Sequence, residues 1–219
     1  MAILVKICGI TTADAADAVL RAGADFAGLM FRAGSPRNLA LEQAASLADR
    51  MRGRVRLVAV ASDPTDEMLS SVVAAVRPDF VQLHGAETPV RVAAVRSRFG
   101  VAVIKVLAVA EAADLVPVAA YEDTADMLMF DARPPSGASR EGGHGMAFDW
   151  QILRGRKFSK PWLLAGGLTS DNVGRAVTVS DAPGVDVSTG VESAPGVKSP
   201  EKIAAFVAAA RNAYVGAAV

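Results

Sequence analysis

The chain reads as an α/β fold, a single-domain (β/α)8 TIM barrel. Three observations predict it. Strand and helix signals alternate from one end to the other, the strands are apolar along most of their length, and no break in composition divides the chain. Strands that do not alternate need cover on both faces, which implies parallel pairing under helices. Eight strands in 219 residues favour closure over an open doubly wound sheet, the alternative for the same pattern. The expected domain spans residues 1–219.

The elements follow in order. Ile3–Ile7 is the first strand, Ala13–Ala22 a helix ended by Gly23, and Phe26–Phe31 the second strand. Leu41–Met51 is helical and Val55–Val60 is an apolar strand. Asp63-Pro64 opens a helix to about Val76, with Met68, Val72, Val73 and Val76 as its inner stripe. Asp79–Leu83 is a strand, Pro89–Phe99 a helix, Val101–Leu107 a strand, and Glu111–Ala120 a weaker helix. The strand Met127–Phe130 precedes a Gly-, Pro- and Ser-rich exposed loop over Ala132–Gly145. Phe148–Leu153 is a short helix, Trp162–Ala165 a strand, Ser170–Val179 a helix and Val185–Val187 the eighth strand. Pro200–Ala210 closes the chain as a helix with Ile203, Phe206 and Val207 inward.

Composition narrows the function. A hydrophobic share of 52% supplies a sizeable core, and a formal net charge of zero offers none of the basic excess that nucleic acid requires. Cys8 is the single cysteine, so no internal disulfide can form, as suits a reducing compartment. No basic region followed by a longer apolar run precedes the first strand, so a signal peptide is not expected, and no apolar run approaches the roughly 20 residues of a membrane span. These readings predict a soluble, cytoplasmic protein with no nucleic-acid or membrane partner. The sequence names no oligomeric partner.

In a barrel, the residues just after the strands gather on one rim, where active sites lie. Here that rim carries Cys8-Gly9, Arg32 through Arg37, His84-Gly85, Asp131, Gly166-Gly167 and Ser188-Thr189-Gly190. Cys8 is either an inert small hydrophobe or a thiol whose surroundings favour the thiolate. Lys6 lies near it in sequence, which does not by itself establish a charge contact. Asp131 either caps a loop or does proton chemistry; beside low-polarity walls its neutral form would be favoured, suiting a proton donor. Arg37, in a loop stiffened by Pro36, is a solvated surface arginine or a planar fork for a substrate carboxylate. His84 is a structural histidine or a donor to substrate, and the histidines form no metal cluster. The glycines 166, 167 and 190 let backbone N–H groups approach an anion, and a short helix beginning near Val191 would add its positive end. Their placement after strands seven and eight fits the phosphate site common in this fold. Together these residues suggest acid–base work on a phosphorylated small molecule bearing a carboxylate.

At this point the chain resembles the phosphoribosylanthranilate isomerase family of tryptophan biosynthesis, itself built on (β/α)8 barrels. The resemblance is carried by Val5-Lys6-Ile7-Cys8-Gly9-Ile10-Thr11, Ser35-Pro36-Arg37, Val81-Gln82-Leu83-His84-Gly85 and Leu128-Met129-Phe130-Asp131. It continues through Gly142-Gly143-His144-Gly145 before Phe148-Asp149-Trp150, then Leu164-Ala165-Gly166-Gly167-Leu168 before Asn172-Val173. It ends with Val185-Asp186-Val187-Ser188-Thr189-Gly190-Val191-Glu192.

The resemblance implies an Amadori rearrangement of N-(5-phospho-β-D-ribosyl)anthranilate to 1-(2-carboxyphenylamino)-1-deoxyribulose 5-phosphate. It implies that Asp131 protonates the ribose ring oxygen and that Cys8 takes the proton from C2. By the same likeness Arg37 meets the anthranilate side, and Gly166, Gly167, Ser188, Thr189 and Gly190 surround the phosphate. His84 and Asp186 fall at site positions, and no cofactor is needed. Three positions depart from the family pattern. Thr189 replaces a serine but keeps its hydroxyl, His144 replaces a small hydroxyl residue, and Ser199 replaces an aspartate before the last helix. None of these removes the acid–base pair. A related barrel, indole-3-glycerol-phosphate synthase, is the nearest enzyme alternative, with Lys105 or Lys6 as its acid. A metabolite-binding scaffold is the non-enzyme alternative, though it would have no use for Cys8 and Asp131 together.

Overall fold

The computed structural model describes residues 2–133 and 148–216. Eight strands close into a parallel barrel in sequential order. They are β1 (Leu4–Cys8), β2 (Phe26–Met30), β3 (Arg56–Ala61), β4 (Phe80–Leu83), β5 (Ala102–Val109), β6 (Met127–Ala132), β7 (Trp162–Leu164) and β8 (Gly184–Val187). β8 returns to β1 with Leu4 opposite Gly184 and Lys6 opposite Asp186, which completes the ring.

Alternation along the strands sorts side chains into two cores. Cys8, Phe26, Val58, Val60, Ile104, Val106, Met129 and Leu163 fill the barrel interior. Their neighbours one residue away, such as Val5, Ile7, Leu57, Val103 and Leu107, belong to the larger core beneath the helices. Both strand faces are therefore buried, as the unbroken apolar runs require. At the opposite, amino-terminal end, three aspartates repeat one device. Asp25, Asp79 and Asp126 precede β2, β4 and β6 and accept the backbone N–H of Val5, Leu57 and Val103 in the preceding strand. These bonds pin strand pairs where barrels carry stability rather than chemistry.

The helices are α1 (Ala13–Ala22), α2 (Leu41–Met51), α3 (Asp66–Val76), α4 (Pro89–Phe99), α5 (Val118–Glu122), α6 (Val173–Ser180) and α7 (Pro200–Gly216). Thr12, Thr65 and Thr88 cap α1, α3 and α4 by accepting from Ala15, Met68 and Arg91 N–H. Gly23 and Gly100 end α1 and α4 in the left-handed conformation.

Several expected elements differ. α3 starts after Thr65, because that hydroxyl supplies the cap, and Leu69 joins Val72 and Val76 inside while Met68 and Val73 are only partly buried. The expected helix over 111–120 is a 3-10 turn (Ala112–Leu115) followed by α5, the break falling at Pro117. Phe148–Leu153 reduces to one 3-10 turn from Trp150, capped by the Asp149 carboxylate. The loop over 132–145 lies outside the described residues apart from Ala132 and Arg133, and Ala132 ends β6. His144 is likewise outside them.

No helix starts near Val191. A 3-10 turn ends there (Thr189–Val191), and the chain then forms a hairpin of β9 (Glu192–Ala194) and β10 (Val197–Lys198). The buried Glu192 carboxylate accepts the Gly196 N–H inside this hairpin, and that bond favours the turn over a helix. Among the described residues no helix is long and apolar enough to cross a membrane.

Candidate active site

The carboxyl-terminal mouth of the barrel holds a pocket. Cys8, Arg37, His84, Asp131, Asp186 and Ser188 all line it, although they come from five separate strand ends. Cys8 points into the interior because β1 alternates, with Leu4, Lys6 and Cys8 on the inner side. Gly28 on β2 sits opposite it, and a Cβ there would lie 2.9 Å from the Cys8 sulfur. The missing side chain makes room for the thiol.

Lys6 is buried one step below Cys8 and bonds Asp186 on β8 at 2.7 Å. Burial pushes the thiol above its ordinary value, the Lys6 ammonium pulls it down, Asp186 raises it and Lys198 lowers it; the net direction is up. Burial would lower the Lys6 ammonium, but Asp186 and then Cys8 outweigh it and hold Lys6 charged. The charge contact that spacing alone left undecided is therefore present, and it extends to both Cys8 and Asp186.

Asp131 stands across the pocket at the end of β6. One oxygen accepts the Ala132 N–H at 2.8 Å, and the other lies 3.3 Å from His84 Nε2. Asp131 thus stands between two polar partners. His84 Nδ1 meets the Gln82 side-chain nitrogen at 3.3 Å. The Gln82 carbonyl oxygen is buried with no hydrogen-bond partner among the described residues, and Gln82 lines the same pocket. Sequence reading quoted Gln82 but gave it no role. The signal was available, since a glutamine two residues before His84 faces the barrel interior.

Arg37 is not a solvated surface residue. It is buried, and its Nε and Nη2 bond both oxygens of Glu192 at 2.6 and 2.7 Å. Gly9 permits this approach: its φ is +81°, and a Cβ would fall 2.4 Å from Arg37 Cδ. Glu192 also accepts from Lys198 Nζ at 2.7 Å, and Lys198 bonds the Ser188 carbonyl at 2.9 Å and its hydroxyl at 3.2 Å. Burial would raise the Glu192 carboxyl, but the hydrogen bonds from Arg37 and Lys198 hold it at about 2. Glu192 and Lys198 were not singled out from sequence, because nothing local shows that β9 and β10 fold back onto the loop after β2.

The glycine loops lie beside the pocket without lining it. A Cβ on Gly166 would lie 2.5 Å from Ala132 N and 3.0 Å from an Asp131 oxygen, so this loop abuts the carboxylate directly. A Cβ on Gly190 would lie 2.0 Å from the Leu168 carbonyl, so the loops after β7 and β8 touch through their backbones. Gly167 is fixed by Asn172, whose amide donates to its carbonyl at 2.9 Å. Thr189 begins the 3-10 turn that carries Gly190. Lys105 is absent from the pocket lining; buried on the helix side of β5, it bonds Glu87 at 2.6 Å. This removes it as the acid of the alternative barrel enzyme.

A parallel barrel with a thiol, a carboxyl group and an imidazole facing one mouth defines a (β/α)8 enzyme equipped for proton transfer. The family model for N-(5'-phosphoribosyl)anthranilate (PRA) isomerase matches residues 5–209. The N-(5'-phosphoribosyl)anthranilate isomerase of Paramagnetospirillum magneticum is 52% identical over 212 residues, covering 97% of this chain and 99% of the relative. The phosphoribosyl anthranilate isomerase of Thermotoga maritima superposes with a TM-score of 0.87 at 31% identity, over 96% of this chain and 99% of that one. A second structure of the enzyme, in complex with reduced 1-(o-carboxyphenylamino)-1-deoxyribulose 5-phosphate, gives 0.83 at 30% identity over the same shares. The chain belongs to the N-(5'-phosphoribosyl)anthranilate isomerase family.

Proposed function

We propose that Cys8 is the general base and Asp131 the general acid of the reaction this family performs. The chain is an isomerase of tryptophan biosynthesis that converts N-(5'-phosphoribosyl)anthranilate to the 1-(o-carboxyphenylamino)-1-deoxyribulose 5-phosphate. The observation that carries the assignment of roles is the pocket itself. Cys8 and Asp131, from β1 and β6, line one cavity whose remaining walls include an arginine and the end of β8.

The chemistry follows in proton-neutral order. Asp131 gives a proton to the ribose ring oxygen, the ring opens, and the substrate nitrogen becomes a Schiff base. Cys8 as thiolate then takes the proton on C2, and the resulting enol-amine tautomerises to the ketone. The substrate's own nitrogen is the electron sink, so the sequence needs no cofactor. His84, 3.3 Å from Asp131, orients that carboxyl group. The raised thiol has a correspondingly more basic thiolate, and Lys6 and Lys198 offset part of the burial that raises it. The Gln82 oxygen is an acceptor available to a substrate N–H or O–H.

Arg37 is assigned to the substrate carboxylate, and the backbone around Gly166, Gly167, Ser188, Thr189 and Gly190 to the phosphate. The abutting glycine loops support that placement. Asp186 holds Lys6 below the base. Residues 1–219 act as one domain. We expect Cys8→Ala and Asp131→Asn each to lower kcat by about 10²–10⁴-fold, with product binding measured by calorimetry retained. Because the thiolate is the active base and the thiol is raised, the residual kcat/KM of Asp131→Asn, in which the acid no longer titrates, should climb with pH across the neutral range. Undiminished turnover in either variant would overturn the role given to that residue.

A further inference from the structure

We propose that Glu192 is a positioning residue that fixes the edge of Arg37 presented to the substrate, and so makes the enzyme select an aminoaldose carrying an aryl carboxylate. This rests on the assignment of Arg37 to that carboxylate. A guanidinium has five N–H donors in a rigid plane. Glu192 takes two of them, on Nε and Nη2. The three that remain lie toward the outer end of the plane, so a second carboxylate can be held only from that end. A side-on fork, the simplest use of an arginine, is already occupied.

The carboxylate cannot swing away. It is buried and accepts from Arg37 twice, from Lys198 at 2.7 Å and from Gly196 N–H at 3.2 Å. Its hairpin presses on the arginine's own loop, since a Cβ on Gly196 would lie 2.7 Å from the Pro36 carbonyl. Thr11 Oγ1 donates to the Gly196 carbonyl at 3.2 Å, tying the turn to the loop after β1. Two cations share this one anion, leaving net positive charge in the wall that faces an anionic substrate. Lys198 passes the constraint to Ser188, at the end of β8. The arginine and the β8 loop are thus set relative to each other through a single buried carboxylate.

A purely structural Glu192 would lower turnover of every substrate alike. A positioning Glu192 costs substrates that use the carboxylate more than those that lack it. The test measures kcat and KM for the anthranilate-derived aminoaldose and for the corresponding aniline-derived aminoaldose, which lacks the carboxylate. In Glu192→Gln the ratio of kcat/KM for the carboxylated substrate to that for the aniline substrate should fall about tenfold or more, through KM, while any loss passed through Lys198 to Ser188 falls on both substrates and cancels in the ratio. An equal loss on both, or no loss on either, overturns the proposal. Arg37→Met should abolish the same preference; if it does not, the assignment of Arg37 fails and the proposal with it. If Arg37→Met loses the preference and Glu192→Gln keeps it, only the role of Glu192 fails. Should Glu192→Gln not fold, Glu192→Asp retains the charge one methylene short. It should lose part of the preference, and an equal loss on both substrates again overturns the idea.

Discussion

Glu192 shows how far a neighbourhood can shift a single ionisable group. Burial alone would keep its proton on, yet the hydrogen bonds of Arg37 and Lys198 bring the folded value down to about 2 from the ordinary 4.5. A group depressed on folding stabilises the native state above its unfolded pKa, and that stabilisation is lost as pH falls toward the folded value. Here the window runs from 4.5 down to about 2, and the shift corresponds to about 3 kcal/mol. Urea unfolding followed down through that range should show wild type losing stability more steeply than Glu192→Gln, the difference being this carboxylate's share. Cys8 presents the opposite case. Its strand position placed it at the mouth beside Lys6, but the Asp186 carboxylate that helps hold Lys6 charged arrives only with β8 closing against β1. The spacing of Lys6 and Cys8 was legible in sequence; the Asp186 beside them in space, 180 positions on, was not.

At the scale of elements, the loop between β4 and α4 is held from behind. Lys105 on β5 bonds Glu87 at 2.6 Å and the Gly85 carbonyl at 2.7 Å, and Glu87 accepts the N–H groups of Gly85 and Asp63. This buried ion pair fixes the segment directly after His84. Removing one partner strands the other charge, so Lys105→Met should cost about 3–5 kcal/mol in urea unfolding. Adding Glu87→Leu should return part of that loss, because the abandoned carboxylate goes with it, and a double-mutant cycle would read the coupling. Most element positions were legible because local signals set them: Gly23 as the stop of α1, and unbroken apolar strands. The failures differ in cause. The break at Pro117 and the turn capped by Asp149 are local, whereas the β9–β10 hairpin has stabilising partners, Arg37 and Lys198, that are recruited in the folded state.

For the whole molecule, barrel closure is the organising event, because it brings β1 beside β8 and packs α7 against both α1 and α6. Phe206, fully buried in α7, belongs to the helix-side core of that seam. Phe206→Ala should cost about 3–5 kcal/mol, read as a lowered urea midpoint with unchanged slope, since the cavity weakens one continuous core. The sequence by itself determined the barrel, because eight apolar strands with covering helices have few ways to bury both faces. It also placed Cys8, Asp131, Arg37 and His84 at strand ends, because the period of a strand and the direction of the chain are local properties. Only the tertiary structure decided which charges those residues meet. Lys6 with Asp186 and Arg37 with Glu192 are contacts between distant strands and loops. Their strength comes from burial, which exists only once the ring has closed and water has left.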